Sequence, residues 1–506
     1  MSKFVRYTFL ASLFLIFLLP PTDPDLGWHL RCGQLFWQEH SFCEQNQFSV
    51  LLENYSWPNH AWGYQAMIYK IYQFFGIHGL TIFNALLMTA AFGFLYLAVK
   101  NCTFEKMLAI LATIYFGWGV FSFGIRSQLV GFFFFNLTLW LLTGIRHSDP
   151  ERSRRGKNPS ACLKLILPPL VMLLWANTHG SVILGLLLIF FFTASYLIQH
   201  AIACKIKSGK PLIRMAIARE IRQNSTDLIN IALLISPLLA AGVTLINPFG
   251  FRTYKEMWKH FAGPIDLSKL IAEWVPPQPH IQQLIVISGA AIFVYLLFKY
   301  FTTPSFFILH SLFLIPIFTF WALKARRNVP FFFVILSYSF LNTLKPKMSV
   351  LRNQLAGLLS VGILLYGLIV QLPRAIEYKP CQRDVPCKAV EFLKAQEDKG
   401  NIFNRYEWGG FLICQLPEYK IFVDGRMPAW SSEALAKEDR PISPYTIYLH
   451  TLQTRPGWQE TLDNYNIDWI LISPGTFMDL LLAPDPEKFG WKEVFRDKVS
   501  VIYKKI

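Results

Sequence analysis

The chain has 506 residues, with 48 Lys+Arg against 32 Asp+Glu and a formal net charge of +16. An apolar content of 53% excludes intrinsic disorder, and eight Cys in a chain of this length exclude a disulfide-stapled mini-protein. A positive mean hydropathy with only 16% charged residues argues against nucleic-acid binding despite the basic balance.

The apolar residues fall in eleven long uncharged runs: 7–22, 79–99, 107–125, 127–145, 165–178, 180–199, 228–247, 281–298, 303–323, 328–344 and 353–373. Most are 17 to 21 residues long, enough for a helix to cross a bilayer core of about 30 Å. Helices follow because lipid cannot satisfy free backbone groups. Lys3 and Arg6 precede the first run, but it ends Leu19-Pro20-Pro21-Thr22-Asp23 without an A-x-A-like cleavage site. It therefore reads as an uncleaved span. The loops assigned to the inside hold 20 Lys+Arg and 5 Asp+Glu, among them Arg146, Arg152, Arg154, Arg155 and Lys157. The positive-inside rule then places the N-terminus in the cytoplasm and the C-terminus outside.

This reading divides the chain into a membrane domain, 1–373, with a long external loop at 23–78, and an external domain, 374–506. The external domain alternates short strands (Asn401–Asn404, Tyr419–Val423, Trp469–Ile472) with helices (Lys388–Gln396, Trp458–Tyr465) and ends in a hairpin. The expected fold is a membrane all-α bundle of about eleven helices followed by a compact α/β domain. Of the external cysteines, Cys381 with Cys387 and Cys32 with Cys43 are candidate pairs that spacing alone does not decide.

The distinctive polar residues gather at the external ends of the spans. Asp23-Pro24-Asp25 leaves the first span, followed by Trp28-His29-Leu30-Arg31. Two carboxylates at this spacing suit a general base or a divalent cation. The same loop carries Asn59-His60-Ala61-Trp62. Arg126, Asn177, His179, Glu273, Arg326 and Arg327 follow at later external turns. Charge at a membrane edge is costly and marks a functional site by default. Arg suits phosphate, and Arg126, Arg326 and Arg327 lie on the side where cations are disfavoured. Together they suggest a lipid-linked phosphate substrate. The alternative is anchoring to lipid head groups by snorkelling.

Asp23-Pro-Asp-Leu-Gly-Trp-His-Leu-Arg-Cys-Gly33 resembles the D-x-D-x-W-W-H-L-x-x-G stretch of bacterial multi-pass membrane proteins placed in or near the GT-C glycosyltransferase superfamily. The resemblance continues through Asn59-His60-Ala61-Trp62 (N-H-E-W), Arg126-Ser-Gln128 (R-P-Q) and Trp175-Ala-Asn-Thr-His-Gly180 (W-A-N-x-H-G). It extends to Asn247-Pro-Phe-Gly250 (N-P-x-G), Arg326-Arg327-Asn328 (R-R-N), Trp408-Gly-Gly-Phe-Leu412 (W-G-G-Y-L) and Val423-Asp-Gly-Arg426 (I-D-G-R).

The resemblance implies an inverting GT-C enzyme of the cell inner (plasma) membrane. It would pass a sugar from a polyprenyl-phosphate-linked donor to an envelope glycan, lipid or protein. Asp25, and then Asp23, would be the general base on the acceptor or would hold a Mg or Mn ion. Arg126, Arg326 and Arg327 would hold the leaving phosphate, and His29, His60 and His179 would orient sugar hydroxyls or help bind metal. Arg31, Trp62, Asn177 and Glu273 are further substrate-binding candidates. In the tail, Trp408, Asp424 and Arg426 are candidates, with a salt-bridged turn as the plainer reading of the last two. The chain departs from the pattern at Ala61, where relatives carry Glu. That departure keeps a non-catalytic envelope scaffold in play. A lipid-linked glycan transporter is a third reading, opposed by the apolar mid-span positions.

Overall fold

The computed structural model describes residues 2–99, 103–145, 159–205, 227–263, 265–344, 349–382, 385–430 and 442–506. The basic stretch containing Arg146, Arg152, Arg154, Arg155 and Lys157 lies outside the described residues. The chain forms two compact units. A helical unit comprises Met1–Pro20, Thr81–Gly250 and Ala272–Ala375; a mixed unit comprises Pro21–Leu80, Phe251–Ile271 and Ile376–Ile506.

All eleven apolar runs contain a helix. Among the described residues, six helices are long and apolar enough to cross a membrane: Trp62–Ala98, Thr103–Phe121, Val182–Gln199, Ala272–Thr302, Phe306–Lys324 and Val350–Ile376. Ser127–Thr143 and Leu167–Ala176 are shorter apolar helices. The 37 residues of Trp62–Ala98 would exceed a bilayer core if straight. Gly76 breaks the helix with φ 62 and ψ −156, a conformation that needs a residue without Cβ.

Within the helical unit, phenylalanines fill the space between helices. Phe17, Phe92, Phe121 and Phe132 pack with ring centroids 5.2–6.0 Å apart. Phe116 stacks on Phe333 at 4.2 Å. Asn84 donates to the Phe17 carbonyl at 2.9 Å, satisfying an acceptor left free at the end of the first helix. Ser305 and Ser349 cap the helices that follow them. Leu238, Phe301, Ile369 and other apolar side chains are exposed on the outer faces, as lipid contact requires.

The mixed unit is built on a five-stranded sheet, β1 (Asn401–Asn404), β2 (Lys420–Ile421), β3 (Ile467–Ile472), β4 (Trp491–Arg496) and β5 (Val501–Lys505). Its order is β2-β1-β3-β5-β4. β1 pairs parallel with β2 and β3; β5 pairs antiparallel with β3 and β4. β1 and β3 are mostly buried, and β3 is nearly all apolar, as a strand covered on both faces must be.

The stretch 23–78, read from sequence as a loop, is largely helical and belongs to this unit. Leu26–Glu39 is a helix. The chain then runs along the sheet edge, where Ile421 donates to the Phe48 carbonyl and accepts from Val50, each at 2.9 Å. Disulfides join Cys32 to Cys43 and Cys381 to Cys387. Both pairs are those the spacing suggested. Trp28, Leu35, Leu51 and Trp57 share one buried cluster with strand residues such as Ile402, Phe403 and Ile470.

Candidate active site

In the mixed unit, three motifs far apart in sequence meet. Asp23 and Asp25 form the turn into Leu26–Glu39: Asp23 Oδ1 accepts from the Asp25 amide at 3.3 Å, and the Asp25 carbonyl accepts from His29. The Asp25 side chain does not cap its own helix. Its carboxylate lies against Gly425, so close that a Cβ there would overlap it. The Trp408-Gly409-Gly410 turn completes the cluster. Gly410 leaves no room for a side chain beside the Pro24 carbonyl, Gly27 meets the Gly410 carbonyl, and Gly409 meets the Val423 carbonyl. These glycines serve close backbone approach. Asp25 as a residue is half-buried.

Asp424 and Arg426 form an ion pair with both side chains fully buried. Arg426 Nε donates to Asp424 Oδ1 at 2.8 Å and Nη2 to Oδ2 at 2.7 Å, while the Arg426 amide donates to Oδ1 at 2.9 Å. Nη2 also donates to Asn46 Oδ1 at 3.1 Å. The guanidinium lies over Phe48 and Trp430, 4.9 and 5.3 Å from the ring centroids. Trp408 is buried, with Arg405 over its ring at 5.5 Å. Asp424, Arg426 and Trp408 thus bear on the site through packing. Tyr406 feels the charges of both Asp25 and Asp424; burial, and then these carboxylates, push its hydroxyl pKa well up, so it stays protonated.

The histidines of the first stretch are built into the same unit. His29 is buried, tilted against Trp28 with ring centroids 3.7 Å apart and edge-on to Tyr64. Its Nδ1 meets Gln65 Nε2 at 3.2 Å, and Gln65 is held by Asn59 at 2.7 and 3.0 Å. Arg31 donates to Gln34 at 2.7 Å. Trp62 packs on Phe36 and Phe42. Ala61 is buried.

Burial, and then the nearby His260, pull the His60 pKa down to about 4, against a backbone contact at Pro58 that raises it. His60 is therefore neutral at pH 7. The unfolded chain takes up its proton near pH 6.5 while the folded one refuses it until about 4. Stability is expected to fall across that window as pH drops, by up to about 3 kcal/mol. Thermal unfolding of His60→Gln across the same pH range should show a shallower fall.

The helical unit holds the arginines. Arg126 and Glu273, 147 residues apart, form an ion pair with both side chains mostly buried. Arg327 and Arg326 also act on Glu273 electrostatically. Arg327 lies over the Trp274 ring at 4.9 Å, and Arg126 over Phe123 at 4.9 Å. The turn is fixed by its backbone: Gln128 donates to the Arg327 carbonyl at 3.3 Å and the Arg326 amide to Val275 at 3.0 Å. Asn328 donates to the Trp321 carbonyl at 3.1 Å. Three guanidinium groups around one carboxylate leave a positive excess suited to an anion. Asn177 bonds the Leu173 carbonyl and the distant Ile246 carbonyl, and His179 bonds Ser181 at 2.7 Å within its own turn.

The candidates thus fall into two groups. Asp23, Asp25, His29, Arg31, His60, Trp62, Trp408, Asp424 and Arg426 belong to the mixed unit; Arg126, Asn177, His179, Glu273, Arg326 and Arg327 belong to the helical one. Sequence reasoning missed Gln65 and Asn46, which no motif marks. It also missed the contact that Gly425 makes, although Asp424-Gly425-Arg426 was singled out. Among the described residues no three His, Cys, Asp or Glu gather as a metal site.

The fold is that of a multi-pass membrane protein carrying a mixed sheet. Solved structures share it. The oligosaccharyltransferase AglB from Archaeoglobus fulgidus, in complex with an inhibitory peptide and a dolichol-phosphate, matches with TM-score 0.59 at 11% identity, over 93% of this chain and 69% of that one. The same organism's oligosaccharyltransferase tethered to an acceptor peptide matches with TM-score 0.56 at 11% identity and equal coverage. ArnT from Cupriavidus metallidurans bound to undecaprenyl phosphate matches with TM-score 0.54 at 12% identity, over 100% of this chain and 98% of that one. No family model and no curated protein matches the chain. The chain therefore shares the fold of AglB and ArnT.

Proposed function

We propose that the protein is an inverting membrane glycosyltransferase. It would pass a sugar from a polyprenyl-phosphate-linked donor to an envelope glycan, lipid or protein on the extracytoplasmic side. The observation that carries this reading is the Asp25 carboxylate where three motifs converge, in a chain with the fold of AglB and ArnT. Those two proteins were captured with dolichol-phosphate and undecaprenyl phosphate respectively, the donor chemistry the arginine cluster suits.

Asp25 takes the proton from the acceptor hydroxyl or amide. The acceptor atom forms its bond to the anomeric carbon as the carbon–oxygen bond to phosphate breaks. The electron pair leaves on the phosphate oxygen, a charge of the kind that guanidinium groups suit. Asp23 fixes the turn that carries Asp25. Asp23 and Asp25 are also the residues that would hold a Mg or Mn ion, which would supply positive charge beside the leaving phosphate. The protein would lie in the plasma membrane with a cytoplasmic N-terminus, about eleven crossings over 1–373 and an external domain at 374–506. Ala61, where relatives carry Glu, favours a second reading as a non-catalytic scaffold.

Mass spectrometry of envelope glycans from a deletion strain tests the activity: one sugar should disappear and return with the wild-type gene. An unchanged glycan profile would favour the scaffold. Loss of a charge-assisted contact should weaken undecaprenyl phosphate binding about 10- to 100-fold in Arg327→Ala. Unchanged affinity would remove Arg327 from the phosphate site.

A further inference from the structure

The Asp424-Gly425-Arg426 turn has no part in the chemistry above, and its glycine lacks the usual backbone reason. Gly425 is not among the glycines with positive φ. What it lacks is room. A Cβ at position 425 would stand 1.8 Å from Asp25 Oδ1 and 3.0 Å from Oδ2.

The turn presenting Gly425 is held from several directions. Asp424 binds both the amide and the guanidinium of Arg426. Asn46 anchors the far side of that guanidinium and itself donates to the Leu51 carbonyl at 2.8 Å. Asn404 Nδ2 donates to the Val423 carbonyl at 2.9 Å, and Asn404 Oδ1 accepts from the Val423 amide at 3.2 Å. Backbone fixed this way cannot swing aside as a side chain could. Asp25 approaches it from the start of Leu26–Glu39, whose own place is set by the backbone contacts of Pro24 and Gly27 with Gly410.

We propose that the Asp424-Gly425-Arg426 turn is the wall that positions Asp25, with Gly425 as the positioning residue. The bare backbone at 425 sets where the carboxylate stands relative to the acceptor. Asp424 and Arg426 act one step further back by holding the wall still. The inference rests on reading Asp25 as the base.

Gly425→Ala in the full-length protein tests it. Product formation should fall about 100-fold, the cost of a misplacement near 1 Å. Binding of undecaprenyl phosphate should be unchanged, which separates positioning from donor binding. Gly425→Ala should lower Tm in the wild-type background and have no effect in Asp25→Gly, where the carboxylate it would strike is gone. Should the single variant fail to fold, the double variant should fold. Wild-type product from Gly425→Ala, or an equal loss of Tm in both backgrounds, overturns the wall. A double variant that does not fold overturns it too. Normal product from Asp25→Asn would instead sink the base assignment, and the Tm coupling between 25 and 425 would still be decided on its own.

Discussion

Asp25→Asn is expected to lower sugar transfer by about 10²- to 10⁴-fold, the usual contribution of a general base, with little change in stability. Asparagine keeps the volume of the side chain, so the close fit against Gly425 survives. The helix Leu26–Glu39 does not use the Asp25 side chain as its cap, so its start is not weakened. The loss should therefore appear in kcat with donor binding intact, as expected for a group acting only in the transition state. Asp23→Asn should cost less, because Asp23 supports the turn through the Asp25 amide. If Asp25→Asn makes normal product at a normal rate, the base lies elsewhere.

Breaking the Asp424–Arg426 pair is expected to destabilise the protein by about 3–5 kcal/mol, since either single change strands a charge in a dry interior. Both side chains are fully buried, so water cannot take over the lost partner. Arg426→Ala also removes the packing of the guanidinium over Phe48 and Trp430. The paired change Asp424→Leu with Arg426→Met should cost less than either single one, because no charge is left behind. Thermal unfolding of the purified full-length variants measures this. A loss below about 1 kcal/mol in the single variants, the range of solvent-exposed pairs, would mean that the pair is screened.

The membrane helices were legible because each apolar run declares itself locally, whatever it packs against. The strands at Asn401–Asn404 and Ile467–Ile472 were legible for the same reason. The 23–78 stretch was read as a loop because its helices do not show as uninterrupted apolar runs. Leu26–Glu39 mixes Trp28 and Leu30 with Arg31, Gln34 and Gln38. The N-terminal part of Trp62–Ala98 carries Gln65, Lys70 and Gln73 before the Gly76 break.

The site was half legible. Asp25, Asp424 and Gly425 all stood in motifs, but no local pattern says that they touch. The same holds for Arg126 and Glu273, both singled out and neither paired in advance. Long-range contact is set by the sum of packing across the unit, which no single window of sequence contains. Gly425 makes the point sharply. A glycine in a turn suggests unusual backbone angles, whereas here the cause is a carboxylate arriving from the other end of the chain.

That arrival has a consequence in time. Gly425 is made about 400 residues after Asp25. At roughly 5–20 residues per second, the gap is on the order of 20–80 seconds. During that interval the helix Leu26–Glu39 lacks the turn that its first residues meet in the folded unit. A ribosome that stalls or a transcript that ends early therefore releases a protein whose carboxylate has no wall behind it.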